Sequence, residues 1–178
     1  MLAPFYSEIR SLYVEEGFAR VSKTRLLVNK DLPGMLRAAG VPVPAPERLR
    51  AVCRNDGTQI SAAPILADEP VSRVVAILAH ELGHAVDFSY PGRFLWLEGA
   101  LVETNAWEAD PEERAVYNTL QQWHQRPDHA VERTADALAE LVTGREVWYT
   151  GPLQLQDLEA VPEAGFAPQR PRPEALDA

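Results

Sequence analysis

Apolar positions change period several times along the chain, and each change marks an element. Phe5, Ile9, Leu12 and Tyr13 recur at helical spacing and stop at Gly17, which predicts an opening helix near residues 4–16. Thr24 to Val28 fits a short strand, and Pro33 to Ala39 fits a short helix ending at Gly40. The run from Val41 to Pro46 predicts an extended connector, because each proline pushes its predecessor away from the helical region. The period then drops to two. Leu49, Ala51 and Cys53 alternate with Arg48, Arg50 and Arg54, and Asn55-Asp56-Gly57 supplies turn chemistry. Thr58 to Leu66 reads as the returning strand, with Pro64 placing it at a sheet edge or ending it there.

Asp68-Glu69-Pro70 then opens a long helix, with proline in the first turn and acids at its positive end. Val71, Val74, Val75, Leu78, Leu82 and Val86 form one apolar stripe. Ile77, His80, Glu81, His84 and Phe88 form a second stripe beside it, and Tyr90-Pro91-Gly92 stops the run. A helix occupied on two faces is central to its domain. Asp110-Pro111-Glu112-Glu113 predicts a further helix bearing Val116, Leu120 and Trp123. Asp128 can cap a last helix with Val131, Ala135, Leu138 and Val142, closed by Gly144. This order predicts an α+β fold: a small, mainly antiparallel sheet packed on the long helix, with the last helix crossing beneath. Residues 1–160 form one domain, and 161–178, rich in proline and without a period, form a flexible tail.

Composition narrows the function classes. The chain has 178 residues, enough for one core, and 26 acids against 17 bases give a net charge of −9. That field repels phosphate backbones and anionic headgroups, so neither nucleic acid nor membrane is an expected partner. The longest apolar run, Val74 to Ala79, is too short to span a bilayer. The first residues show no export signal, which points to the cytoplasm. A single cysteine, Cys53, excludes an internal disulfide and a cysteine zinc cluster.

His80-Glu81-Leu82-Gly83-His84 carries the chemistry. Four residues advance a helix by about 40° beyond one turn, so both imidazoles leave the same face and can reach one ion. Glu81 projects from a neighbouring angle, badly placed to ligate but close enough to take a proton from an activated water. Two imidazoles and a carboxylate buried together without a metal carry a steep desolvation cost. A catalytic zinc needs a third protein ligand. The candidates are His124 and His129 among histidines, and Glu98, Glu103, Glu108 and Glu132 among carboxylates. Glu132 stands out because Asp136 follows one turn later on the same face, while Ala135 leaves room between the helices. Glu132 can then ligate while Asp136 accepts an N–H from a ligating imidazole.

On these residues the chain resembles the gluzincin type of zinc metallopeptidase, in which a glutamate from a second helix completes a His-Glu-x-x-His site. Residues His80 to Asp87 and Glu132 to Leu138, the latter matching a Glu-x-x-Ala-acidic-Ala-apolar pattern, are most similar to the catalytic domains of anthrax lethal factor and the Pro-Pro endopeptidases. The 47 residues between His84 and Glu132 also suit that group, whereas metallopeptidases of the ImmA/IrrE kind place the glutamate sooner. The resemblance implies zinc held by His80, His84 and Glu132, with Glu81 as general base and then acid. It also implies a tyrosine about two turns before the third ligand to steady the oxyanion. Gln125 stands there instead, leaving His124, His129, Tyr117, Tyr90 or Tyr149 as substitutes.

The leading expectation is a zinc peptidase that binds an extended peptide or protein substrate along an edge strand near Thr58–Leu66. The alternatives are a zinc-stabilised binding or regulatory module without turnover, and a regulator that cleaves one partner. The acidic balance favours basic substrates, and the tail offers an inhibitory segment for the cleft.

Overall fold

The structure is a computed structural model that describes residues 2–43, 45–90, 93–97, 100–103 and 130–144. The order of elements is α1 (Ala3–Glu15), β1 (Arg25–Val28), α2 (Leu32–Ala38), β2 (Ala51–Cys53), β3 (Gln59–Ala62), α3 (Val71–Ser89), β4 (Phe94–Leu97), β5 (Ala100–Glu103) and α4 (Ala130–Thr143). Short 3-10 turns lie at Ala19–Lys23, Pro46–Arg48 and Pro64–Asp68. The fold is α+β. The expected helix from Asp110 and the stretch 161–178 lie outside the described residues.

The first three strands form a sheet in the order β1-β3-β2. The β2–β3 pair is antiparallel, as the Asn55-Asp56-Gly57 turn predicts, but β1 pairs with β3 in parallel. The sheet is therefore mixed, not mainly antiparallel. The connection through α2 lays β2 antiparallel to β1, and the tight turn reverses the chain once more, so β3 runs parallel to β1. The returning strand is also shorter than expected. It ends at Ala62, and Pro64, which has no N–H for a ladder, begins a 3-10 turn. A second pair, β4–β5, is antiparallel with Phe94 opposite Glu103. It escaped the pattern reading although Gly99 divides two apolar runs.

The long helix begins at Val71, just after the expected Asp68-Glu69-Pro70 start, so the acids precede it and Pro70 is not in its first turn. Pro70 caps it from outside, and Val71, assigned to the apolar stripe, is 54% exposed. Glu69 does not serve the helix dipole alone. It pairs with Arg50 at 2.6 Å and with Arg73 at 3.2 Å, tying the start of α3 to the approach to β2. From Val74 to Asp87 every residue of α3 is buried. Its apolar side joins Tyr6, Ile9, Leu12 and Tyr13 of α1, Ile60 of β3, and Leu138, Ala139 and Val142 of α4 in one core. The Tyr13 hydroxyl donates to the Ala79 carbonyl at 2.8 Å, fixing α1 beside the motif. At the other end of the sheet, Gly57 adopts φ +67 and lies so close to α3 that a Cβ would meet the Ala85 carbonyl oxygen at 2.6 Å. Only glycine takes both the left-handed turn and that approach.

Candidate metal centre

The site forms where α3 and α4 touch. A Cβ built on Gly83 would lie 2.5 Å from the Ala135 carbonyl oxygen and 2.8 Å from its Cα, so the two helix backbones are in direct contact there. Ala135 was expected to leave this room, and Gly83 supplies the other half of it. Glu132 stands one turn before Ala135, so the close crossing carries its carboxylate to the two imidazoles. Glu132 Oε2 lies 3.1 Å from His80 Nε2, and Oε1 lies 3.5 Å from His84 Nε2. One donor atom from each of His80, His84 and Glu132 lies within 4.8 Å of the others.

The two imidazoles are supported differently. His80 is 1% exposed, and its Nδ1 meets Asp136 Oδ1 at 2.7 Å, the contact expected from the Glu132–Asp136 spacing. That carboxylate fixes the ring so that Nε2 points to the convergence of donors. His84 packs edge-on to His80 and stacks on Phe88, with centroids 5.7 Å apart and planes at 8°. Its buried Nδ1 has no hydrogen-bond partner among the described residues.

Charge is concentrated here. Burial lowers the His80 pKa, but the hydrogen bonds to Asp136 and Glu132 outweigh it and lift the pKa from 6.5 to about 9. The same hydrogen bonds from His80 and His84 hold the Glu132 carboxyl well below the usual carboxylate range. Burial pushes the Glu81 carboxyl up, against the opposing influence of His80 and His84 and with the Glu132 charge adding to it. Glu81 is 3% exposed, and its Oε2 meets no partner among the described residues. A buried carboxylate oxygen without a partner is costly, and here it stands one residue from a cluster of metal-type donors.

Two imidazole nitrogens and a carboxylate oxygen, pointed at one place from two helices, make a donor set suited to a divalent transition ion. The residues fit such an ion on their own chemistry. Glu103, an alternative third ligand, is taken by Arg93 at 2.6 Å. Tyr90, a candidate oxyanion donor, accepts the Arg20 N–H at 3.1 Å and packs against Phe18 and the Arg20 and Arg93 guanidinium groups. Glu98, Glu108, His124, Gln125, His129, Tyr117 and Tyr149 lie outside the described residues.

A cavity of about 300 Å³ opens on the cluster, walled by β2 and by Phe88 and Val131. Because β3 is the central strand, the expected binding edge near Thr58–Leu66 is paired on both sides and is not an edge. Among the described residues, the sheet edge beside the site belongs to β2. Arg54 donates to the Gln59 carbonyl at 2.8 Å, and Ala63 donates to the Arg50 carbonyl at 2.7 Å. The antiparallel alternation therefore turns the N–H and C=O groups of Ala51 and Cys53 away from β3. The Cys53 amide reaches the Glu81 carboxyl. The role of Cys53 was not foreseen: the alternation Leu49-Ala51-Cys53 reveals a strand but not its neighbours. Burial raises its thiol pKa far above the ordinary value, with the Glu81 and Asp56 charges adding to this, so the thiol stays protonated.

The fold and the cluster together define an α+β protein with a buried His-x-x-x-His and glutamate group able to hold a metal ion. Among the described residues, no helix is long and apolar enough to cross a membrane. Compared with family models, curated proteins and solved structures, the chain gives no match.

Proposed function

We propose that this chain is a zinc-dependent peptidase of the gluzincin type. One observation carries the reading: His80, His84 and Glu132 converge from two helices while Glu81, buried beside them, keeps a carboxylate oxygen without a partner among the described residues. A zinc ion held by those three residues would supply Lewis-acid activation of water and of the scissile carbonyl. The remaining work falls to this chain's own groups. Asp136 holds His80 Nδ1 and so sets the direction of its Nε2. The Glu81 carboxylate accepts the proton of the attacking water and hands it to the leaving amine nitrogen. Its raised pKa brings it nearer neutrality, where one group can serve as base and then as acid. The outward N–H and C=O groups of Ala51 and the outward C=O of Cys53, whose N–H is engaged by Glu81, take up the backbone of an extended substrate, holding it across the cavity.

The test has two readouts. Protein purified without added metal is assayed by elemental analysis, and a generic peptide library is followed by mass spectrometry. We expect one zinc per chain and cleavage that falls by about 10²–10⁴-fold or more in Glu81→Gln, with the zinc retained. Undiminished cleavage in Glu81→Gln excludes the mechanism. Zinc at full occupancy without any cleavage by the native chain favours the zinc-stabilised binding module instead.

A further inference from the structure

The opposite edge of the sheet carries a second, larger feature. A groove of about 650 Å³ runs between α1 and β1, walled by Leu2 and Tyr6 on one side and by Leu26, Leu27 and Val28 on the other. Leu27 is 49% and Val28 57% exposed, an unusual pair of large apolar side chains on a strand with neither proline nor bulge to protect it. The backbone is open as well. Arg25 donates to the Thr58 carbonyl at 2.9 Å and Asn29 donates to the Ala62 carbonyl at 2.8 Å. The parallel ladder therefore turns the N–H and C=O groups of Leu26 and Val28 toward the edge that pairs with no strand among the described residues.

Charge says what kind of occupant fits. Arg10 and Arg25 both line this groove. Arg10 is fixed by donating to the Thr24 carbonyl at 3.3 Å and by lying 5.4 Å over the Tyr6 ring. Neither guanidinium pairs with a carboxylate among the described residues. By contrast, Arg50 and Arg73 pair with Glu69, Arg54 with Asp56, and Arg93 with Glu103. In a chain with 26 acids and 17 bases, two arginines beside one apolar groove concentrate positive charge there.

We propose that the groove between α1 and β1 docks an extended apolar peptide segment ending in a free carboxylate. The segment adds a strand to β1 through Leu26 and Val28, its side chains enter the apolar walls, and its terminal carboxylate meets Arg10 and Arg25. This surface is separate from the Glu81 cavity, which lies along β2, so it stands whether or not the protein cleaves peptides.

The probe is a fluorescein-labelled hexapeptide of alternating valine and threonine with a free C-terminal carboxylate. Binding to the full chain is read by fluorescence anisotropy, in the native protein and in Glu81→Gln, where hydrolysis cannot remove the probe. We expect saturable binding that weakens about tenfold or more when the probe ends in an amide, and equally in Arg25→Ala. Val28→Pro removes an N–H that faces away from β3, so the ladder remains and binding is lost. Equal binding of acid and amide probes overturns the proposal, as does full binding by Val28→Pro with an unchanged circular dichroism spectrum. Binding of dodecanoate but not of the peptide overturns it in favour of a small amphiphile. Exclusion of the probe by a concentration-dependent dimer overturns it in favour of a second copy.

Discussion

The helix α3 has two very different flanks. Its apolar side packs into the core with Ile9, Tyr13 and Ile60, all fully buried. Its other side places His80, Glu81 and His84 against Glu132 and Asp136 of α4, burying charge where a fold normally buries methyl groups. Burial of apolar surface is favourable on its own, whereas buried ionisable groups need partners to offset their lost hydration. The first flank therefore explains why the chain folds, and the second why it would keep so costly a cluster.

The sharpest way to separate the flanks is to damage one and read the other. Ile60→Ala removes a fully buried side chain from the apolar flank and is expected to cost about 2–5 kcal/mol of stability. Denaturant unfolding measures that loss. Zinc affinity of the folded variant, read by competition with a chelator, should stay unchanged. A parallel loss of affinity would mean that the flanks are one unit.

Gly83→Ala strikes the polar flank through its backbone. The new Cβ meets the Ala135 backbone, which cannot swing aside as a side chain can, so α4 must shift. Overpacking of this kind costs about 1–3 kcal/mol. The displacement also withdraws Glu132, so zinc affinity should fall along with stability. Asp136→Asn is gentler: it leaves the helices in place and weakens the acceptor at His80 Nδ1, with an expected loss of about 10–100-fold in zinc affinity. An unaltered affinity would show that His80 needs no orienting partner.

The two flanks also differ in how plainly the sequence announces them. Local periodicity reveals α1, α3 and α4, and the spacings His80–His84 and Glu132–Asp136 place four of the clustered side chains before any coordinates exist. Such spacings act within one or two turns, where helix geometry leaves no choice. Strand neighbours are another matter. Nothing local tells that β1 slides beside β3 and leaves β2 as the edge over the site, because that order is decided by contacts far apart in sequence. Gly83 is intermediate. The motif tolerates any residue there, and only the approach of Ala135 explains why the smallest is present.

A last and smaller effect comes from pH and distinguishes the loaded from the empty cluster by its slope. Without metal, His80 lies between Asp136 and Glu132 with its pKa lifted from 6.5 to about 9. A pKa raised on folding contributes stability that is full below the unfolded value. That contribution fades as pH rises toward the folded one. Chelated protein should therefore lose stability as pH climbs from about 6.5 toward 9. Metal binding needs His80 Nε2 without its proton, so at neutral pH each ion taken up should release one proton from this ring. Affinity should rise about tenfold per pH unit between pH 7 and 8, and that rise offsets the loss seen in the chelated protein, so the stability of the zinc-loaded protein should stay level above about pH 6.5. Calorimetry in buffers of different ionisation enthalpy counts the proton directly. Zinc uptake with no proton released at pH 7 would mean that His80 is already neutral, and the Asp136–His80–Glu132 contacts would then be ordinary hydrogen bonds of an uncharged ring.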